Sequence, residues 1–316
     1  MATLLPPKQA TPYATFAAQG EALNTISCGE LIDAYKRHGA ILLRGFSVDL
    51  DAFRNLTQRL CAGAVFNESP GREVIDAERN IQTVNLGHQA FPLHPELSRE
   101  PWKPDICFFW CMRPPSAGGE TTVCDGVEIV RRMPPQLRDA FASRNLRYRQ
   151  LATAAECAFW LGAAEPDDAA LANPPPHCPY GFERANGKVH RFFFAPALHK
   201  PMFSDEPAFG NFLLFARYMN GIRVFPTFED GELVSDTLLD QVKTVSDAIE
   251  TPVAWQTGDI VILDNTRFMH GRRAIANVEE RRIATYFGYV RFAEVSARER
   301  QFPWRNASFR PPILSS

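Results

Sequence analysis

Residues 258–273 read "GDIVILDNTRFMHGRR". The run Ile260–Leu263 is continuous, apolar and of strand length, which points to a β-strand buried on both faces. The polar group Asp264–Thr266 ends it as a turn, and a second β segment follows. His270 therefore lies just beyond the end of a core strand, where a side chain can face the mouth of a barrel.

The neighbouring stretches fit a β core that is divided along the chain. "RRIATYFGYVRF" (281–292) continues the β section, and residues 79–124 hold the β-prone pieces "NIQTVNL", "DICFFWC" and "ETTVCD", separated by Pro and Gly. That texture implies antiparallel pairing. Helical spacing marks "CGELIDAYKRHG" (28–39), which stops at Gly39 before the strand-like "AILLRGF". "SVDLDAFRNLTQRLCAG" opens on the potential caps Ser47 and Asp49 and places Leu50, Phe53, Leu56 and Leu60 on one face. "GVEIVRRM", "PPQLRDAFASR", "FGNFLLFARYMNG" and "DTLLDQVKTVSDAIE" complete the helices. Residues 150–220 include the least regular part of the chain and are expected to form an irregular insert that covers the substrate. Residues 297–316, Pro-rich and polar, are expected to be a surface tail, and the whole of 1–316 a single domain without internal repeats.

The 316 residues are 45% apolar, enough for a sizeable core, and 34 basic against 36 acidic residues leave a net charge of -2 without like-charge runs. A nucleic-acid or polybasic membrane partner is not indicated. The opening "MATLLPPKQATPYATF" has no basic segment followed by an apolar one, and no span-length apolar run occurs, so a soluble cytoplasmic protein is expected. Seven scattered cysteines read as free thiols, with Cys107 and Cys111 buried.

The candidate chemistry begins in "FPLHPELSREPW" (91–102). Pro95 keeps His94 out of the helical region, and in extended backbone His94 and Glu96 project to the same side. One imidazole and one carboxylate make a weak metal signal on their own. With His270 they become two His and one carboxylate, the set that leaves adjacent positions open on a non-haem iron. His177, His190 and His199, in the irregular segment, read as packing or surface residues, and Asn85 and His88 either line the substrate pocket or serve a structural loop role. Arg272 and Arg273 read as surface or supporting groups. Trp102, Phe108, Phe109 and Trp110 read as core.

The order "HGAILLRGF", "LHPE", "PPSAGGETT", "GDIVILDNTRFMHGRR", "RRIATYFG" resembles the taurine dioxygenase and clavaminate synthase-like family of Fe(II)/2-oxoglutarate oxygenases, from about residue 38 to 292. The resemblance implies an α+β chain with a double-stranded β-helix (jelly-roll, cupin-like) core and flanking helices. It makes His94, Glu96 and His270 the iron ligands and Thr121 a contact of the co-substrate carboxylate. It also implies an arginine eleven or twelve residues after the distal histidine, holding the far carboxylate of 2-oxoglutarate by bidentate geometry. Arg281 and Arg282 both qualify. If Arg282 faces inward, Ala284, Tyr286 and Gly288 share its side and Ile283, Thr285 and Phe287 pack against helices; this leaves room beside the metal, so Arg282 is expected.

The same resemblance implies O2 as a further co-substrate, release of succinate and CO2, and hydroxylation of an unactivated C–H bond in a small substrate. Glu96 fills the place that is vacated for halide in related halogenases, which favours hydroxylation, while desaturation, epoxidation or cyclisation would use the same ligands. The "LHPE" to "GGETT" section looks closer to the clavaminate synthase-like branch, which points to an amino-acid-derived and sometimes carrier-protein-tethered substrate. Tyr286, four residues beyond Arg282, stands where the taurine enzyme has a second arginine for sulfonate, which argues against a small sulfonate. The rivals are a non-catalytic cupin-like binding protein, which has no need of the co-substrate clamp, and a zinc hydrolase, which lacks an HExxH-type helix here.

Overall fold

The computed structural model describes residues 2–8, 11–67, 69–297, 299–306 and 309–310. Two antiparallel sheets organise the site. The larger runs, in spatial order, through Thr3–Leu5, Ala14–Ala17, Ala40–Arg44, Ile260–Asp264, Ile106–Arg113, Arg282–Val290, Ile81–Thr83 and Val74–Asp76, with Cys61–Ala64 also paired to Arg282–Val290. Among its described strands, only Ala14–Ala17 and Ala40–Arg44 pair in parallel. The smaller sheet has the order Thr251–Pro252, Thr121–Asp125, Phe268–Arg272, Phe91–His94.

The central strands of the large sheet are covered on both faces, hence their unbroken apolar sequence. One face (Ile41, Leu43, Phe108, Trp110, Ile260, Ile262, Ala284 and Tyr286) packs on Leu31, Tyr35, Phe53, Leu56 and Leu60 of the helices Cys28–His38 and Leu50–Leu60. The other face (Leu42, Cys107, Phe109, Cys111, Val261, Leu263, Ile283 and Phe287) shares a core with Val123 and Phe268 of the small sheet. Behind the small sheet, Leu93, Cys124 and Met269 meet Ile129, Phe141, Leu239 and Val242 of a second helical layer.

Local chemistry sets these elements. Ser27 caps the first helix by accepting from the Glu30 amide, Gly39 ends it at φ 71°, and Lys36, Arg37 and His38 face the negative end of its dipole. The Asp49 side chain accepts from the Ala52 amide to start the second.

Two sequence expectations need correction. Residues 150–220 are not an irregular insert. Thr153 and Glu156 form a capping box for the helix Ala154–Leu161, and a hairpin of Gly181–Ala185 and Lys188–Pro196 joins Asn145–Leu151 and Thr227–Phe228 in a third sheet. The hairpin turns on Asn186 and Gly187, both at positive φ, as an Asn-Gly type I′ turn requires. Residues 299–306 and 309 are not a free tail either. Trp304 is buried against Phe302, the Arg305 guanidinium lies 2.7 Å from Asp105, and Phe309 packs on Trp102. Residues 311–316 of the expected tail lie outside the described residues. All seven cysteines are free, and among the described residues no helix is long and apolar enough to cross a membrane.

Candidate active site

His94 ends the edge strand Phe91–His94, and His270 sits in the adjacent strand Phe268–Arg272, as its direct cross-strand partner. The two rings lie 4.6 Å apart between centroids, with Phe215 beside His94 at 4.6 Å and Phe109 beside His270 at 4.9 Å. Pro95 ends the strand, so the chain leaves the sheet and returns Glu96 to the same spot. The Glu96 Oε2 atom lies 3.5 Å from His270 Nε2, and one donor atom from each of His94, Glu96 and His270 falls within 4.8 Å of the others.

Asn265 places the carboxylate. Its Oδ1 accepts from the Glu96 amide at 2.7 Å, and its Nδ2 donates to the carbonyls of Glu96 at 3.1 Å and Pro104 at 2.8 Å. The turn that ends the strand Ile260–Asp264 thus fixes the loop that carries Glu96. Asn67 Nδ2 donates to Glu96 Oε1, and Arg72 approaches the same oxygen to 3.6 Å. The Pro92 carbonyl lies 2.8 Å from His94 Nδ1, which orients the ring and leaves Nε2 free.

Protonation follows from these surroundings. Burial, and then the neighbouring His270, press the His94 imidazole down to about 4. Burial alone would raise the Glu96 carboxyl, but Arg72, His270 and His94 together outweigh it and hold the group at about 2. A neutral imidazole beside an ionised carboxylate is the state in which such side chains take up a metal ion. Two imidazoles and one carboxylate also fit Fe(II) in type, with positions left open for other ligands.

A second cluster lies two residues along the sheet. Val123 is opposite His270 and Thr121 is opposite Arg272, so Thr121 and Val123 share a face about 7 Å apart along the strand. Thr121 Oγ1 accepts from Trp255 Nε1 at 3.3 Å and from Arg281 Nη2 at 3.2 Å. With both lone pairs occupied, its hydroxyl proton is free for an acceptor such as a carboxylate. Arg281 is buried, and its Nε donates to the Gly119 carbonyl at 2.7 Å. Burial, and behind it Arg272, lower this guanidinium to about 9, so it stays charged at neutral pH and favours an anion.

Arg282 was expected in this role and is elsewhere. Its side chain is exposed and pairs with Glu73 at 3.4 Å. Ile283 and Phe287 face the inter-sheet core while Ala284 and Tyr286 face the helices, the reverse of the expected alternation. Accordingly, the position four residues past the inward arginine is Thr285, and Tyr286 packs on the outer face. Arg272 is buried but supports a loop: Nη1 donates to the Asn85 carbonyl, and Nη2 to those of Gly87 and Gln89 at 2.6 Å each. Asn85 is spent on Pro70 and Gly87, His88 and His177 are exposed, and His199 lies against the Thr266 carbonyl at 2.7 Å.

Sequence reasoning missed Asn67, Arg72, Trp255 and Asn265. Asn265 alone carried a signal, in the turn "LDNT"; the loop "FNESPGREV" that holds Asn67 and Arg72 has no periodicity to place it.

A model of the taurine catabolism dioxygenase TauD, TfdA family matches residues 6–286. The chain belongs to that family. A curated relative, 3-((Z)-2-isocyanoethenyl)-1H-indole synthase of Fischerella ambigua (strain UTEX 1903), is 26% identical over 148 residues, covering 45% of this TauD/TfdA chain and 54% of that protein. The match thus spans about half the length of that relative. Among solved structures, a taurine dioxygenase from Burkholderia xenovorans is similar over 98% of this chain and 99% of its own, with TM-score 0.59 and 12% identity. PvcB, an Fe, alpha-ketoglutarate dependent oxygenase from an isonitrile synthetic pathway, is similar over 91% and 90%, with TM-score 0.56 and 14% identity. At these identities the structures establish a shared fold.

Proposed function

We propose that this protein is an Fe(II)- and 2-oxoglutarate-dependent oxygenase that oxidises a C–H bond of a small molecule. The carrying observation is the convergence of His94, Glu96 and His270 within 4.8 Å of one another. The double-stranded β-helix is the architecture this reading favours: two antiparallel sheets share one core, and the donors lie on two adjacent strands, His94 and His270, and on the loop that follows the first of them, Glu96. A single oxygenase domain is the matching organisation, since the family match runs over residues 6–286.

In this reading His94, Glu96 and His270 hold the iron. Bound iron and 2-oxoglutarate supply, with O2, the oxidative decarboxylation that yields succinate and CO2 and drives the C–H oxidation. The protein's own part is positional. Asn265 and Asn67 fix the Glu96 carboxylate, and the Pro92 carbonyl fixes the His94 ring. Arg281 and the free hydroxyl proton of Thr121 bind the far carboxylate of 2-oxoglutarate by charge-assisted hydrogen bonds. Phe109 and Phe215 shield the histidines from water.

Hydroxylation is the outcome we assign first. Desaturation is the second reading, favoured by the relative named for an isocyanoethenyl indole, because its product carries a C=C bond. The substrate class is a small, amino-acid-derived molecule, free or tethered to a carrier protein, and the setting natural-product biosynthesis. The test is anaerobic: Fe(II) and 2-oxoglutarate added to the purified protein should give the weak visible charge-transfer band of a chelated keto acid. Absence of the band, or an undiminished band in His94→Ala, would refute the assignment.

A further inference from the structure

The loop that carries Glu96 is pinned at a second place, by groups outside the two sheets that organise the site. Four residues beyond Glu96, Glu100 is 2% exposed, and its Oε2 accepts from the Tyr180 hydroxyl at 2.7 Å and from Arg191 Nη1 at 3.2 Å. Arg191 Nη2 approaches the other oxygen to 3.5 Å, and its Nε donates to Glu156 Oε1 at 2.8 Å. Arg191 sits on Lys188–Pro196, an inner strand of the third sheet, and Glu156 is the capping-box residue of the helix Ala154–Leu161. All four side chains are buried, and none has a part in the chemistry assigned above.

Stability does not account for this cluster. Two carboxylates and a guanidinium give up their hydration together, and only the partly exposed Arg99, 3.9 Å from Glu100, offsets the second negative charge. Burial pushes the Glu100 carboxyl up even with Arg191 beside it. Such a buried group gains little over apolar residues of the same volume. What a satisfied polar network does supply is a single fixed geometry.

The loop needs that geometry. Leu97 is at φ 52°, a left-handed conformation that a leucine takes only when its surroundings impose it. Two turns coil the segment around it: the Ser98 amide donates to the Pro95 carbonyl at 3.3 Å, and the Glu100 amide to the Leu97 carbonyl at 3.0 Å. Asn265 and Asn67 hold the Glu96 end, where Arg72 is ion-paired with the carboxylate, and Arg191 and Tyr180 hold the Glu100 end. Releasing the second end lets Leu97 relax to ordinary backbone, and that rotation carries Glu96 away from the point where it meets His94 and His270. We propose that Arg191, acting through Glu100, is a positioning residue for Glu96, so that the third sheet sets how tightly the site holds its metal. The inference rests on the oxygenase reading, in which Glu96 is a metal ligand.

The test compares Mn(II) affinity, titrated calorimetrically, with the urea midpoint of the metal-free protein. Glu100→Leu frees the loop and leaves Arg191 matched by Glu156; it should weaken Mn(II) binding about ten-fold, as loss of a group that orients a ligand does. Glu100→Gln, which still accepts from Tyr180 and Arg191, should restore most of that affinity. Glu156→Gln takes the other carboxylate from the same guanidinium but leaves the loop anchored, so Mn(II) affinity should stay within about two-fold even where the urea midpoint falls. Tyr180→Phe removes one hydrogen bond to Glu100 and keeps the ring; it should weaken Mn(II) binding about three-fold, and it carries the test if Glu100→Leu does not fold. Unchanged Mn(II) affinity in Glu100→Leu, or in Tyr180→Phe where that alone folds, overturns the proposal. So does an equal loss in Glu156→Gln, because the cluster would then act through overall stability. Failure of the wild type to bind Mn(II), or to give the anaerobic Fe(II)–2-oxoglutarate band, would instead refute the oxygenase reading on which the proposal stands.

Discussion

Arg281 and Arg282 are adjacent in sequence and opposite in fate, which makes them a natural pair of variants. Arg281 is buried and bonded to Gly119 and Thr121, whereas Arg282 is exposed on Glu73. A charge-assisted bidentate contact contributes roughly 1.5–3 kcal/mol, so Arg281→Gln should raise the apparent KM for 2-oxoglutarate by about ten- to a hundred-fold. Arg282→Gln should leave it within about two-fold, since exposed ion pairs contribute little. Steady-state titration of 2-oxoglutarate distinguishes the two; equal effects would show that the inward residue is not the clamp. His199 makes a separate prediction about pH. Burial, then Lys103, hold its imidazole at about 4 against an ordinary 6.5, so the folded protein keeps it neutral. Above pH 6.5 this has no effect on stability; as pH falls from 6.5 toward 4 the unfolded chain takes the proton first, and up to about 3 kcal/mol is lost. Asp264, raised by burial to about 6, works in the opposite direction, gaining stability as pH falls below 6, and is present in wild type and variant alike. Urea unfolding of wild type and His199→Gln between pH 4 and 7 should therefore show the wild type losing ground to the variant as pH drops.

At the scale of elements, legibility followed contrast. The strand Ile260–Asp264 and the helices with capping residues and one apolar face were readable because each carries its own local signal, as do Ser27 with Gly39 and Asp49 with Phe53, Leu56 and Leu60. The strand Arg282–Val290 gave a strand but not its sides. Both of its faces are buried, one by helices and one by the small sheet, so alternation showed no polar face to mark the outside. The hairpin at Asn186–Gly187 did carry a signal, an Asn-Gly pair between β-prone runs, hidden by the prolines just before it. The segment after residue 296 could not be read because its order comes from long-range contacts, Trp304 and Phe309 on the core between the sheets and Arg305 on Asp105. Ending the chain at residue 297 leaves the buried Asp105 carboxylate without its guanidinium, a change of about 3 kcal/mol before the lost aromatic packing. The urea midpoint should fall clearly. An unchanged midpoint would mean that the segment is only loosely docked.

The whole molecule places the site across two sheets, and that has a thermodynamic consequence. His94, His270 and Thr121 belong to the small sheet and its edge, while Arg281 leads into the strand Arg282–Val290 of the large one. On the proposed reading, a metal would join residues within one sheet and its adjoining loop, and 2-oxoglutarate held at Thr121 and Arg281 would join the two sheets. Each ligand binds only the folded state and stabilises it by RT ln(1 + [L]/Kd), about 2.7 kcal/mol at a hundred times Kd. In a chain of this size that amounts to several degrees in Tm for each ligand. Melting curves with Mn(II) alone and with Mn(II) plus N-oxalylglycine should thus show two increments in the wild type. Arg281→Gln should keep the first and lose most of the second. His270→Ala should lose both, because the co-substrate analogue chelates through the metal as well as through the clamp. A second increment that survives Arg281→Gln would place the far carboxylate elsewhere, and an analogue increment without metal would separate the two clusters that the sheet register sets two residues apart.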